Sequence, residues 1–268
     1  MGDLSEFAGA GVSLRPEDTL TSFLKIAQKG SPEVNKRDPA YIEGLEPGSV
    51  FDSSTKQYWD TEAGDGLLFI QFYSESLELE WGLRGSADKG LKATHPFDTP
   101  LVNQVRLVPK DQGRGEVRML PNGHQLVKTA VHHLLLVEEL RPVAVSMAST
   151  NWRSHQELNG SLGKIKLPNG AIRPSFQTIV RMKTVWRNNE SGDWYNYKFE
   201  FLDKNGQPCK ELRDAGDART LCPAAFLEAY KHFVEATRAG GVKARMVHEE
   251  ESSNGVVIDA DLADESPL

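Results

Sequence analysis

Cations and aromatic rings alternate along residues 176–202 in a way that suits binding better than catalysis. Phe176, Thr178, Val180, Met182, Thr184 and Trp186 fall on one side of a period-two run, and Ile179, Arg181, Lys183, Val185 and Arg187 on the other, because successive strand side chains point to opposite faces. A second run alternates Tyr195, Tyr197, Phe199 and Phe201 with Trp194, Asn196, Lys198 and Glu200. Single-stranded nucleic acid needs such a wall: cations track its phosphates, and exposed rings stack on bases at roughly 1–3 kcal/mol each. The candidates here are Arg181, Lys183, Trp186, Arg187, Trp194, Tyr195 and Lys198. Further cations and one ring lie outside the hairpin, at Lys25, Lys29, Lys36, Arg37, Trp152, Arg153, Lys164, Lys166 and Arg173. Each taken singly has a plain alternative, since rings fill cores and the outer faces of strands are commonly charged.

Catalytic and metal-binding patterns are weak by comparison. His132 and His133 are adjacent, so a strand would send them to opposite faces, and with His95 and His124 they have no Cys or acid at metal-ligand spacing. Gly113-Arg114-Gly115 lacks the GK[ST] element of a phosphate loop, and no serine stands in a GxSxG context. Glu75, Glu78 and Glu80 could be imagined as a carboxylate pair, but alternation with Leu77, Leu79 and Trp81 makes Glu78 and Glu80 the wet side of a strand. The chain is therefore expected not to be an enzyme, and to need no metal or cofactor.

The elements that must position these residues are mainly β. A mobile arm is expected over 1–18, a β-rich domain over 19–240 and a disordered tail over 241–268. Within the domain, 19–28 reads as a first strand, 31–48 with Pro32, Pro39 and Pro47 as an ordered loop, and short β pieces follow near Phe51 and Trp59. Residues 67–81 form one long strand that bends or bulges midway. Residues 82–121 are a polar excursion, either a functional loop or partly disordered, with a short helix at 99–108. Asn122-Gly123 is a turn signal, and 126–138 with 143–147 make a core hairpin. A helix over 151–162 carries Trp152, His155, Leu158 and Leu162 at helical spacing, with Ser149 or Thr150 as its cap. A second helix is expected from Pro223 to Arg238, stopped by Gly240-Gly241. The fold class is mainly β with minor α, an OB-like barrel or sandwich with loop insertions and two helices.

Charge sharpens this picture. The net charge of -7 belongs to residues 249–268, where Glu249, Glu250, Glu251, Asp259, Asp261, Asp264 and Glu265 meet no Lys or Arg, which leaves 31 acids against 31 basic residues in the rest of the chain. A neutral body can still offer a basic face if its charges are segregated, and the tail, with Leu268 and other sparse apolar anchors, suits a partner pocket or a reversible cover for that face. No apolar run approaches the roughly 18 residues that span a bilayer, the N-terminus lacks a secretory pattern, and Cys209 and Cys222 form no disulfide framework. The chain is expected to act in the cytoplasm.

Several strings add a resemblance. Gln28-Lys29-Gly30-Ser31-Pro32-Glu33-Val34-Asn35, then Pro39-Ala40-Tyr41-Ile42-Glu43-Gly44 and Glu46-Pro47-Gly48, with Glu80-Trp81, Leu120-Pro121-Asn122-Gly123 and Trp194-Tyr195, resemble a group of tailed-bacteriophage single-stranded-DNA-binding proteins. The resemblance touches most of 24–202. It implies an OB-like core, an acidic tail that recruits replication or recombination proteins, and binding of single-stranded DNA. The ending Ser266-Pro267-Leu268 departs from the aromatic terminus such tails often carry, which puts the tail's partner in doubt. The competing expectation is a non-enzymatic phage interaction or structural β-domain protein that never touches DNA.

Overall fold

Two long antiparallel strands form the spine of the molecule. β4 (Leu67–Gly82) and β8 (Gln125–Leu136) pair along almost their whole length in the computed structural model, which describes residues 22–83, 88–109, 116–139, 141–190 and 192–217. Around them stand β1 (Phe23–Ile26), β2 (Val50–Asp52), β3 (Tyr58–Trp59), β5 (Gly90–Pro96), β6 (Arg106–Pro109), β7 (Glu116–Met119), β9 (Arg141–Ala148), β10 (Val180–Asn189) and β11 (Gly192–Phe201). The order across the sheet is β11-β10-β4-β8-β9-β1-β2-β3, with β5 beside the far end of β4 and the β6–β7 hairpin beside the start of β8. The described residues are thus mainly β, curled into a half-barrel, with one α-helix, α1 (Trp152–Leu162), laid on its inner face.

The expected bulge falls between Gln71 and Tyr73, where the β4–β8 register slips. Phe72 is the extra residue, and the slip turns the alternation over. Gln71 and Ser74 consequently face the same way, and both reach Asn159 on α1. Beyond the bulge, Glu78 and Glu80 lie on the inner face and are buried, contrary to the wet side expected of them; partners drawn from three other segments make that burial tolerable. β8 reads as an almost unbroken apolar run because both of its faces are covered. Its even side chains Leu134 and Leu136 join Phe69, Val145, Met147, Leu158, Met182, Tyr197 and Phe201 in the main core. Leu135 packs on the reverse side with Ile70, Phe72, Ile179 and Leu202.

The described residues of 82–121 hold more regular structure than the sequence suggests. They contain β5, β6 and β7, and the helix expected at 99–108 is a 3-10 turn at Pro100–Gln104 followed by β6. Pro100 starts the turn well, but Val105, Leu107 and Val108 favour extended backbone. Ser149 and Thr150 form a 3-10 turn rather than capping α1, whose N-cap position is Asn151. Loop 31–48 is ordered as expected, held by the cluster of Ala27, Ile42, Leu45 and Phe51. Gly123 adopts φ +84 in the turn before β8, as Asn-Gly predicts. The arm at 1–18, the second helix at 223–238, Cys222 and the tail lie outside the described residues.

Among the described residues, side chains rather than a strand complete the outer edge of β11. Gln28 donates its amide N–H to the Tyr195 carbonyl at 2.9 Å and accepts the Tyr195 N–H at 2.8 Å. Asn151 accepts the Tyr197 N–H, Ser154 donates to the Tyr197 carbonyl, and the Tyr197 hydroxyl donates to the Leu24 carbonyl. Gly48 makes the approach possible: at φ +92 a Cβ would stand 2.8 Å from the Tyr195 ring. An unpaired strand edge invites pairing with another chain, so these mimics of backbone matter. Gln28→Ala is expected to cost about 1–2 kcal/mol in urea unfolding, because two backbone groups lose their partners together. Gln28→Glu should cost at least as much, since a carboxylate can accept from Tyr195 but cannot donate to its carbonyl.

Candidate nucleic-acid interface

The β10–β11 hairpin sorts its side chains as the alternation predicts. Val180, Met182, Thr184, Tyr195, Tyr197 and Phe201 are buried on the inner face. Arg181, Lys183 and Arg187 of β10 stand on the outer face opposite Glu200, Lys198 and Trp194 of β11. Lys183 and Lys198 are directly cross-strand, a like-charge pairing that costs energy on its own. Glu200 is the one acid on this face of the hairpin. It accepts Lys198 at 3.2 Å and lies 3.8 Å from Arg181, leaving the row positive overall.

At the hairpin tip a ring and an ion pair meet. Trp186 is 43% exposed and donates its indole N–H to Asp193 at 3.2 Å. Lys29 pairs with the same carboxylate and sits 6.0 Å from the Trp186 ring centroid, brought there by the Gln28 clamp. The hydrogen bonds from Lys29 and Trp186 hold the Asp193 carboxyl below the usual carboxylate range, and donating to Asp193 raises the Lys29 ammonium.

Other expected site residues are dispersed or committed elsewhere. Tyr195 is a core residue, because its ring faces the Gly48 turn, and so it is withdrawn from the interface. Arg173 is withdrawn as well: its guanidinium donates to the carbonyls of Ala215 and Gly216 and pins that segment. Trp194 is half-buried. Lys36 and Arg37 are exposed on loop 31–48, Lys164 and Lys166 are exposed after α1, and Lys25 is half-buried on β1. Arg153 is exposed on α1 and paired with Glu157. The tail residues from Glu249 to Leu268 lie outside the described residues.

Three groups along the spine were not read as units from the sequence. Glu78 accepts two hydrogen bonds from the Arg118 guanidinium, at 2.7 and 3.0 Å. Glu80 is bonded by His124 at 2.5 Å, Asn122 at 2.9 Å and His95 at 2.9 Å, and the second nitrogen of His124 reaches Asp88 at 2.7 Å. Burial raises the Glu80 carboxyl, but the bonds from His124, Asn122 and His95 outweigh it and bring it to about 2. Beneath α1 a directional chain runs from His155 Nδ1 to His132 Nε2 at 2.9 Å and from His132 Nδ1 to Gln71 Oε1 at 2.7 Å, then from Gln71 to Asn159 and on to Ser74. His133, on the opposite face, stacks near Tyr73. Among the described residues, no group of three or more His, Cys, Asp or Glu is arranged to hold a metal ion.

The third group is aromatic. Phe97, just past β5, lies 8° from parallel with Trp152, ring centroids 5.8 Å apart, and Lys128 Nζ stands 5.9 Å from the Phe97 centroid. Trp152 rests in turn on His155, centroids 4.7 Å apart. A shallow cleft beside it is lined by Arg118, Lys128, Ser149 and Trp152, among others. The alternation of Leu91, Ala93, His95 and Phe97 with Lys92 and Thr94 was a readable strand signal for this segment.

Among known proteins, the profile of the Pam3 phage gp34-like protein family matches residues 4–243. Neither the curated proteins nor the solved structures give a match. Among the described residues no helix is long and apolar enough to cross a membrane.

Proposed function

The chain belongs to the Pam3 phage gp34-like protein family and is a bacteriophage protein, and we propose that it binds single-stranded DNA, without strong sequence preference, in phage replication or recombination. The observation that carries this reading is the outer face of the β10–β11 hairpin, where Arg181, Lys183, Arg187 and Lys198 are set against Glu200 alone. On this reading the curled sheet serves as an OB-like wall, phosphates follow the cation row, and Trp186 offers a ring at the hairpin tip, on the other side of the strand from that row. The acidic tail covers the face when DNA is absent or recruits replication and recombination proteins. No residue is assigned a catalytic role.

Titration of labelled oligo-dT over a salt series tests it. Each phosphate contact on a single strand contributes about 0.7 to the log–log salt slope, so Lys183→Ala with Arg187→Ala should lower the slope by about 1.4 and weaken binding. A chain cut after Arg245 keeps the whole of the family-matched segment and should bind more tightly if the tail covers the face. No binding of oligo-dT by the full chain, or an unchanged slope in the double variant, contradicts the proposal. One observation favours a protein-interaction role instead: on β6, which among the described residues pairs only with β7, Leu107 is 61% exposed. Concentration-dependent self-association or capture of a protein partner, without oligonucleotide binding, would support that second reading.

A further inference from the structure

We propose that Phe97 and Trp152 form a base-stacking step for the single strand, with Lys128 placed to take the adjoining phosphate. The inference rests on the single-stranded-DNA reading and extends it to residues away from the hairpin. Phe97 is 39% exposed although it is a large apolar ring, and it stacks in parallel with Trp152 rather than packing into the core. The pair is backed rigidly. Trp152 lies on His155, and His155 is tied through His132 and Gln71 to Asn159 of its own helix. A platform held this way binds a flat ligand without first losing its own freedom.

The chemistry around the platform selects the ligand. Arg118 has its charge taken up by Glu78, whereas Lys128 makes no ion pair among the described residues and overlooks the Phe97 ring. A planar ring with an anion attached one bond system away answers both groups, and a nucleotide is that ligand. An aromatic peptide side chain would bring no anion for Lys128, and bases in a duplex have both faces already stacked. Ser149, which lines the same cleft, adopts φ +49, in the left-handed region that costs a non-glycine residue energy and is found disproportionately at binding sites. Asn196 of β11 donates to the Thr150 carbonyl at 3.1 Å, two residues before Trp152, which ties the hairpin to the turn that carries the platform.

The test uses the full chain with Phe97→Ala, Phe97→Leu and Phe97→Trp, titrated with labelled oligo-dT and with an abasic oligomer of equal length. Phe97→Ala and Phe97→Leu should weaken oligo-dT binding about 5- to 150-fold, the worth of one stacked base, while leaving the salt slope and abasic binding unchanged. Phe97→Trp should bind at least as tightly as the natural protein. The leucine variant keeps apolar cover at an exposed position, so a loss it shares with alanine reflects stacking rather than folding. Tight oligo-dT binding by the full chain that neither variant alters overturns the stacking site and leaves the hairpin reading standing. Equal losses on oligo-dT and on the abasic oligomer likewise overturn it. Absence of any oligonucleotide binding by the natural chain overturns the hairpin reading, and this inference with it.

Discussion

Replacing Arg118 with Met is expected to lower the unfolding free energy by about 3–5 kcal/mol, the usual result of removing one partner from a buried ion pair. Glu78 is 1% exposed and accepts both of its strong hydrogen bonds from the Arg118 guanidinium, at 2.7 and 3.0 Å. The methionine would fill much of the arginine's volume, so the loss is electrostatic rather than a cavity. A carboxylate left without those bonds keeps the desolvation cost and loses what offset it. Lys128 stands opposite Glu78 in the β4–β8 register and can turn toward the orphaned charge, which sets the lower end of the range. Pairing Arg118→Met with Glu78→Leu should recover most of the stability, because a well-packed apolar pair often equals a buried ion pair. Urea midpoints measure all three proteins. A single variant that unfolds at the natural midpoint would show that Glu78 is hydrated in solution. Because Arg118 lies on β7 and Glu78 on β4, with β8 between them, the bond fastens the β6–β7 hairpin across the spine.

That pairing also marks where the sequence stops being readable. The long strand, its bulge, the two hairpins and α1 follow from local signals: alternation, Asn-Gly, and apolar residues at helical spacing. The hairpin faces were legible for the same reason, since period two assigns Arg181, Lys183 and Arg187 to one side without knowledge of anything distant. Glu78 and Glu80 could not be placed that way. Alternation correctly separates them from Leu79, but a bulge and a covering layer decide which side is wet, and Arg118, Asn122 and His124 arrive from 40 or more residues away in sequence. The aromatic platform was hidden likewise. Trp152 is evident as a ring on a helix, but its partner Phe97 follows a strand in a segment whose glycines and charges suggested a loop. Tyr195 illustrates the reverse error: its alternation with Trp194 was clear, and only the close approach of Gly48 shows that its ring is inside.

Acid should unfold the protein chiefly through His132, and the window can be stated. Burial, then the neighbouring His155 and His133, push its imidazole down from 6.5 to about 3. Burial also lowers His155. Below pH 6.5 the unfolded chain takes up a proton that the folded chain refuses, so the His132 contribution is complete above pH 6.5 and falls away as the pH drops toward 3. A shift of that size corresponds to about 4–5 kcal/mol over the whole window, and to about half of it by pH 4.5. Two other groups act beside it. Glu80, held at about 2, adds stability that is complete above pH 4.5 and is lost only on further acidification toward 2. His124, raised by its bonds to Glu80 and Asp88, works in the opposite sense: its contribution is complete below its ordinary value of 6.5 and is lost as the pH rises through its folded value. His132→Asn separates these effects, because the asparagine amide can still donate to Gln71 but does not titrate. The variant should be less stable at pH 7.5, by about 1–3 kcal/mol for the lost ring and the unsatisfied His155. Its urea midpoint should then fall more slowly than that of the natural protein between pH 6.5 and 4.5, so the two curves converge. Parallel curves over that interval would show that His132 takes up its proton without disturbing the fold, and that the hydrogen-bonded chain beneath α1 is open to water.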